Sequence, residues 1–302
     1  MGSRRAVPPG ALVTDRHAEL IQRLMIWAET DDNIRAVIQT GSSSRGPDQA
    51  DRFSDRDIEI IARDTALLLA DDGWIHHLGN VMVGQYLENG DDPDTRLVFF
   101  DGGRKIDFTI AGRSRLDEMT EIGRLNDLYE RGYRVLLDKD GLAAGLPAPT
   151  GAAPRRKSPA TEEFVATVSE FWFEAAHMPT YLVRGDLWVV KFRDWTMKEM
   201  LLRMLEWHAL ATRGPETDTW YIGTKMRRWT DAGTWGEVQD VFARFDRADS
   251  WRGLVAMMAL FTRLTHETAA ALGLEYPLAS EQAVTGYIMG FEDEIALLDD
   301  AG

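Results

Sequence analysis

Ser54-Asp55-Arg56-Asp57-Ile58-Glu59-Ile60 is the stretch on which the reading of this chain turns. In a β-strand, residues two apart share a face. Asp55, Asp57 and Glu59 therefore project together, and Arg56, Ile58 and Ile60 take the other side. Neighbouring carboxylates repel and are costly to desolvate, so such a strand calls for a compensating cation. Hard divalent ions such as Mg²⁺ take one or two carboxylates plus substrate phosphates. A solvated acidic edge strand is the alternative reading of this segment alone.

Two further segments bear on that choice. Upstream, the apolar run Ala36-Val37-Ile38 leads through Thr40 into Gly41-Ser42-Ser43-Ser44-Arg45-Gly46. Glycine lets a backbone approach a phosphate closely, backbone N–H groups and hydroxyls donate to it, and Arg45 can neutralise it. This is no Walker A loop, since no Gly-Lys-Ser/Thr follows. Downstream, Lys105-Ile106-Asp107-Phe108-Thr109-Ile110 sets one carboxylate in an apolar strand. A buried aspartate is expensive unless it is paired or binds metal. Asp107 is either paired with Arg104 or Lys105, or it is a third carboxylate, serving as metal ligand or as the base for an acceptor hydroxyl.

Working outward, apolar spacing predicts a helix over 15–29 and strands at 34–39, 57–62 and 81–87. Runs at 95–100 and 105–110, joined by Asp101-Gly102-Gly103-Arg104, predict a hairpin. A helix is expected over 113–128 and a last strand over 133–137. The fold class is thus α/β with a mixed sheet, followed by an α-helical bundle. Residues 1–13, rich in Gly, Pro and Arg, read as a disordered tail. The α/β domain occupies 14–145. The stretch 146–160, with its prolines and Arg155-Arg156-Lys157, reads as a linker, and 161–302 as a helical domain. Helices are expected from Thr161, over 195–211, 234–245 and 251–272, and as one element over 281–298. Most tryptophans of the second half are expected in packing.

Composition narrows the class. The chain has 302 residues, 44% hydrophobic and 27% charged, enough for sizeable cores without staples. It has no cysteine, which excludes disulfides, thiolate zinc sites and cysteine nucleophiles, and fits a cytoplasmic protein. Against 34 basic residues stand 49 acidic ones, a net charge of −15. That argues against nucleic acid as partner and suits a cationic one. No apolar run is long enough to span a membrane, and the N-terminus lacks the apolar core of a secretory signal.

Together these segments resemble the nucleotidyltransferase superfamily, and more closely the aminoglycoside 6-adenylyltransferase (streptomycin adenylyltransferase) family. Ile34-Arg35-Ala36-Val37 leading to Gly41-Ser42, Ser54 to Ile58, Trp74-Ile75 with Leu78-Gly79, and Lys105 to Thr109 all look like that family. So do Glu170-Phe171-Trp172, Glu199 to Met204 with Trp207, Gly223-Thr224-Lys225 and Tyr276-Pro277, in order over residues 15–280. The resemblance implies a nucleotidyltransferase domain and a helical substrate-binding domain. It implies Asp55 and Asp57 as Mg²⁺ ligands, Asp107 as third ligand and catalytic carboxylate, and Gly41 and Ser42 on the triphosphate of ATP; Arg45 is expected beside them on its charge alone, since the loop Ser43-Ser44-Arg45-Gly46 departs from the family's Asn-rich version. Among Lys191, Arg193, Lys198 and Lys225, Lys225 is the one expected to join them. The family usually has an apolar residue at Glu59, which leaves Glu59 as an extra ligand or a surface residue. The implied reaction is transfer of AMP to an aminoglycoside hydroxyl, with streptomycin as the first candidate; the oligomeric state is left open, a monomer being favoured. A different small-molecule or protein hydroxyl, or nucleotide binding without catalysis, are the alternatives.

Overall fold

The computed structural model describes residues 16–44, 53–154 and 156–300. The predicted tail at 1–13 and Arg45 lie outside them. The chain divides into two compact units, one ending at Ala152 and the next beginning at Ala153.

The first unit is built on a six-stranded sheet in the order β3-β4-β5-β2-β1-β6. The strands are β1 (Ile34–Thr40), β2 (Arg56–Ala62), β3 (Val81–Leu87), β4 (Asp94–Phe100), β5 (Arg104–Gly112) and β6 (Arg134–Asp138). β2 and β5 run parallel and every other pair is antiparallel, so the sheet is mixed. The hairpin between β4 and β5 turns on Gly102 and Gly103, both at positive φ.

Alternation along the central strands separates two faces. Ile58 and Ile60 of β2 and Ile106, Phe108 and Ile110 of β5 face one core. It is closed by Leu20, Leu24 and Ala28 of α1 (Ala18–Thr30), Leu68 of α2 (Thr65–Ala70) and Trp74, Ile75 and Leu78 of α3 (Gly73–Leu78). The opposite face carries Ala36, Ile38, Ile61 and Ala111 against Leu116 and Met119 of α4 (Ser114–Ile122) and Tyr129 of α5 (Asp127–Glu130). Asp57, Glu59, Lys105 and Asp107 belong to this second face. The helix expected over 113–128 is two helices, because Gly123 adopts φ 68 and ends α4.

The second unit is helical. Its core lies between α6 (Thr161–Arg184), α7 (Leu187–Arg213) and α10 (Arg247–Leu272), with Phe171 stacked on Phe261 at 3.6 Å. Around them are α8 (Met226–Trp229), α9 (Ala232–Asp240), α11 (Leu278–Met289) and α12 (Glu292–Asp300). The element expected over 281–298 is divided at Gly290. Glu292, Asp293 and Glu294 then supply the negative charge that suits a new helix N-terminus. Trp172, Trp207 and Trp229 are buried as expected, but Trp188 and Trp195 stand outward on α7 at 81% and 61% exposure.

Candidate active site

The site lies at one end of the central strands. β1 ends where the parallel strands β2 and β5 begin. The register places Thr40 opposite Asp57 and Asp57 opposite Asp107. The two aspartates therefore stand side by side on one face. Directly opposed like charges destabilise a sheet, so this pair needs compensation. Asp55 lies just before β2 and completes a group in which one carboxylate oxygen from each of Asp55, Asp57 and Asp107 falls within 4.8 Å of the others.

Lys105 answers part of that charge. It sits two residues before Asp107 on β5, hence on the same face. Its Nζ donates to Asp107 Oδ2 at 2.5 Å and to Asp55 Oδ2 at 3.1 Å. Burial opposes the charged form of Lys105, but the bonds and charges of Asp107 and Asp55 outweigh it and raise its pKa. Burial also raises the pKa of Asp107, against the pull of Lys105. The other oxygen of Asp107, Oδ1, is buried with no hydrogen-bond partner among the described atoms. A cluster of hard oxygen donors with one such atom left over fits a divalent cation of the Mg²⁺ type.

The Gly-Ser turn packs against this cluster. Gly41 has φ 71, and a Cβ built on it would lie 1.8 Å from Asp57 Oδ2. Only glycine permits both the backbone angle and that approach. The turn is tied down from within. Gln39 Nε2 donates to Ser43 Oγ at 2.7 Å, and Ser44 Oγ lies 2.8 Å from the carbonyls of Gly41 and Gly132. The hydroxyls of Ser43 and Ser44 thus hold the turn's shape. The Ser42 side chain and Arg45 lie outside the described residues.

Glu59 departs from the expectation of a surface residue. It is no surface residue, being 1% exposed, and it stands outside the group formed by Asp55, Asp57 and Asp107. Arg115 of α4 reaches its Oε1 at 3.0 Å, and the hydroxyl of Tyr129 of α5 donates to its Oε2. Burial of Tyr129 beside this carboxylate drives the phenol pKa upward. Two polar groups arriving from helices over 50 residues downstream could not be read from strand alternation. Lys105 was legible only as a partner for Asp107; its second bond, to Asp55, needs the parallel pairing of β2 and β5.

In the second unit, three of the four cations singled out by sequence are engaged locally. Lys191 donates to the Ala243 carbonyl at 3.0 Å, Arg193 pairs with Glu174 at 2.6 Å, and Lys198 pairs with Asp194. Lys225 has no ion-pair partner among the described residues. It opens α8 at φ 56 and lines a cavity of about 920 Å³ with Trp195, Glu199, Leu202 and Phe242.

Aminoglycoside 6-adenylyltransferase of Bacillus subtilis (strain 168) is 24% identical over 280 residues, covering 90% of this chain and 96% of its own length. The protein of that name from Campylobacter jejuni is 24% identical over 296 residues, covering 93% and 98%. A crystal structure of an aminoglycoside 6-adenyltransferase from Bacillus subtilis aligns over 91% of this chain and 97% of that one, at 21% identity and a TM-score of 0.44. Residues 15–291 match the streptomycin adenylyltransferase family, and with nine-tenths of its length inside that match the chain belongs to this family.

Proposed function

We propose that this protein transfers the adenylyl group of ATP to a hydroxyl of an aminoglycoside, streptomycin being the first candidate, and so inactivates the antibiotic in the cytoplasm. The observation that carries the reading is the convergence of Asp55, Asp57 and Asp107 beside the Gly41 turn, in a chain of this family. Asp55 and Asp57 are proposed to hold the cation, with the free oxygen of Asp107 as third donor. A bound Mg²⁺ supplies charge neutralisation for the triphosphate and for departing pyrophosphate. The backbone of Gly41 and Ser42 would hold the phosphates, with Arg45 as a further cationic group.

The remaining work falls to Asp107. Its carboxylate, beside the other two acids at the Gly41 turn, is the group placed to accept a proton from a hydroxyl. The acceptor oxygen forms a bond to the α-phosphorus. The bond from that phosphorus to the bridging oxygen of the β-phosphate breaks, pyrophosphate leaves with the electron pair, and the hydroxyl proton passes to Asp107. The balance of charge, −15 over the chain, favours a polycationic acceptor.

The test is pyrophosphate release from ATP and Mg²⁺ with and without streptomycin. Release is expected only with the acceptor, and to fall at least about a hundredfold in Asp57→Asn. Streptomycin-independent behaviour, or none at all from a protein that binds ATP, overturns the assignment of the acceptor. A panel of other aminoglycosides and hydroxylated metabolites then locates the true one.

A further inference from the structure

The pairing of β2 with β5 begins at Arg56 opposite Ile106, and just before it the Lys105 Nζ reaches Asp55 Oδ2 at 3.1 Å. Four residues on one face thus form a square: Asp55 and Asp57 on one edge, Lys105 and Asp107 on the other. Three corners are negative and one is positive. The positive corner is bonded both across the strands and along its own strand, to Asp55 and to Asp107. Each of these bonds uses an Oδ2 atom, while Asp107 Oδ1 remains buried without a partner.

We propose that Lys105 is the resident counter-ion of the carboxylate trio and competes with the divalent cation for it, so that this one ammonium sets the site's cation affinity. The inference rests on reading the trio as a cation site and adds to that reading a residue with a stated direction of effect. Lys105 is a positioning residue in this sense. It holds Asp55 and Asp107 at metal-ligand spacing when no metal is there, and its charge must be overcome or turned aside when one arrives. Coulomb repulsion between an ammonium and a divalent ion held by the same carboxylates is large at these separations in a partly buried site. A lysine that merely braced the strands would not carry that signature. Removing it would loosen the site and weaken metal binding along with stability.

The two roles therefore separate by sign. In the full-length protein, Lys105→Met is expected to lower the thermal midpoint without metal and to tighten Mn²⁺ binding, measured by calorimetric titration, by about tenfold or more. The rise in midpoint on adding Mn²⁺ grows accordingly. Lys105→Arg keeps the charge and is expected to behave as the parent. Lys105→Gln keeps a hydrogen-bond donor without the charge and is expected to follow Lys105→Met, which serves should the methionine variant fail to fold. Asp57→Asn identifies which Mn²⁺ binding belongs to the trio. Unchanged or weaker Mn²⁺ affinity in the uncharged variants, with binding intact in the parent, overturns the proposal and leaves the metal centre standing. No Asp57-dependent Mn²⁺ binding in parent or variants overturns both.

Discussion

At the residue scale, Gly41 and Gly102 share a backbone angle and differ in what surrounds them. Both lie near φ +70, where an alanine is disfavoured by about 1–2 kcal/mol. Around Gly102 no atom lies within 4 Å of an added Cβ, whereas at Gly41 that atom meets the Asp57 carboxylate. Gly102→Ala is thus expected to lose about 1–2 kcal/mol of stability and keep its activity. Gly41→Ala is expected to lose at least as much stability and nearly all pyrophosphate release, since Asp57 must move aside. Denaturant unfolding beside the release assay separates the two. A fully active Gly41→Ala protein would show that the turn does not shape the site. Glu59 makes the opposite case. Glu59→Gln leaves Arg115 short of its carboxylate, and breaking a buried pair costs about 3–5 kcal/mol, less here because Arg115 is partly exposed. A clear stability loss with far less effect on Mn²⁺ affinity than Asp57→Asn is expected. The reverse pattern would make Glu59 a ligand after all.

At the scale of elements, helix ends show what sequence patterns reveal and hide. Asp231 caps α9: its carboxylate accepts from the Thr234 amide at 2.9 Å and from the Thr234 hydroxyl at 2.6 Å. Those bonds lower its pKa from 3.8 to about 2. A carboxyl held below its unfolded value contributes stability that is present above pH 4 and lost as the pH falls toward 2. Asp231→Ala is expected to cost about 1 kcal/mol at neutral pH and nearly nothing near pH 2, read from urea midpoints at the two values. A cost that does not shrink with acid would assign the effect to something other than the ionised cap. The strands are legible because runs rich in β-branched and aromatic residues between turn signals mark them: the readings 57–62, 81–87, 95–100 and 105–110 fall within a residue or two of β2 to β5. Boundaries set by one capping residue are not. Asp246 accepts from the Asp249 amide and starts α10 at Arg247, four residues before the apolar pattern begins at Trp251. Asp64 likewise caps the short α2 through the Ala66 amide, an element too brief for periodicity to reveal. In the site the same division holds. Asp55, Asp57 and Asp107 are readable as three acids on or beside strands, while the bonds of Lys105 and Glu59 depend on which strands pair and which helices cover them.

At the scale of the whole molecule, the charge of −15 acts on the two proposed substrates with opposite sign. A polycationic aminoglycoside is drawn toward a protein of this charge, and its local concentration is raised. ATP with its magnesium still carries negative charge and is repelled at long range. Salt shortens the reach of both effects, from roughly 10 Å at 0.1 M to about 3 Å at 1 M. Raising NaCl from about 0.05 to 0.5 M is therefore expected to increase the KM for the aminoglycoside several-fold while leaving the KM for ATP unchanged or lower. kcat is expected to change little, because the proposed site lies among the partly buried Asp55, Asp107 and Lys105, where screening is weak. The opposed directions make the experiment its own control, since a general salt effect on folding or on metal loading would move both constants together. Parallel increases in the two KM values would remove surface charge from the account of acceptor recognition. Recognition would then rest on short-range contacts, with the acidic surface serving solubility alone.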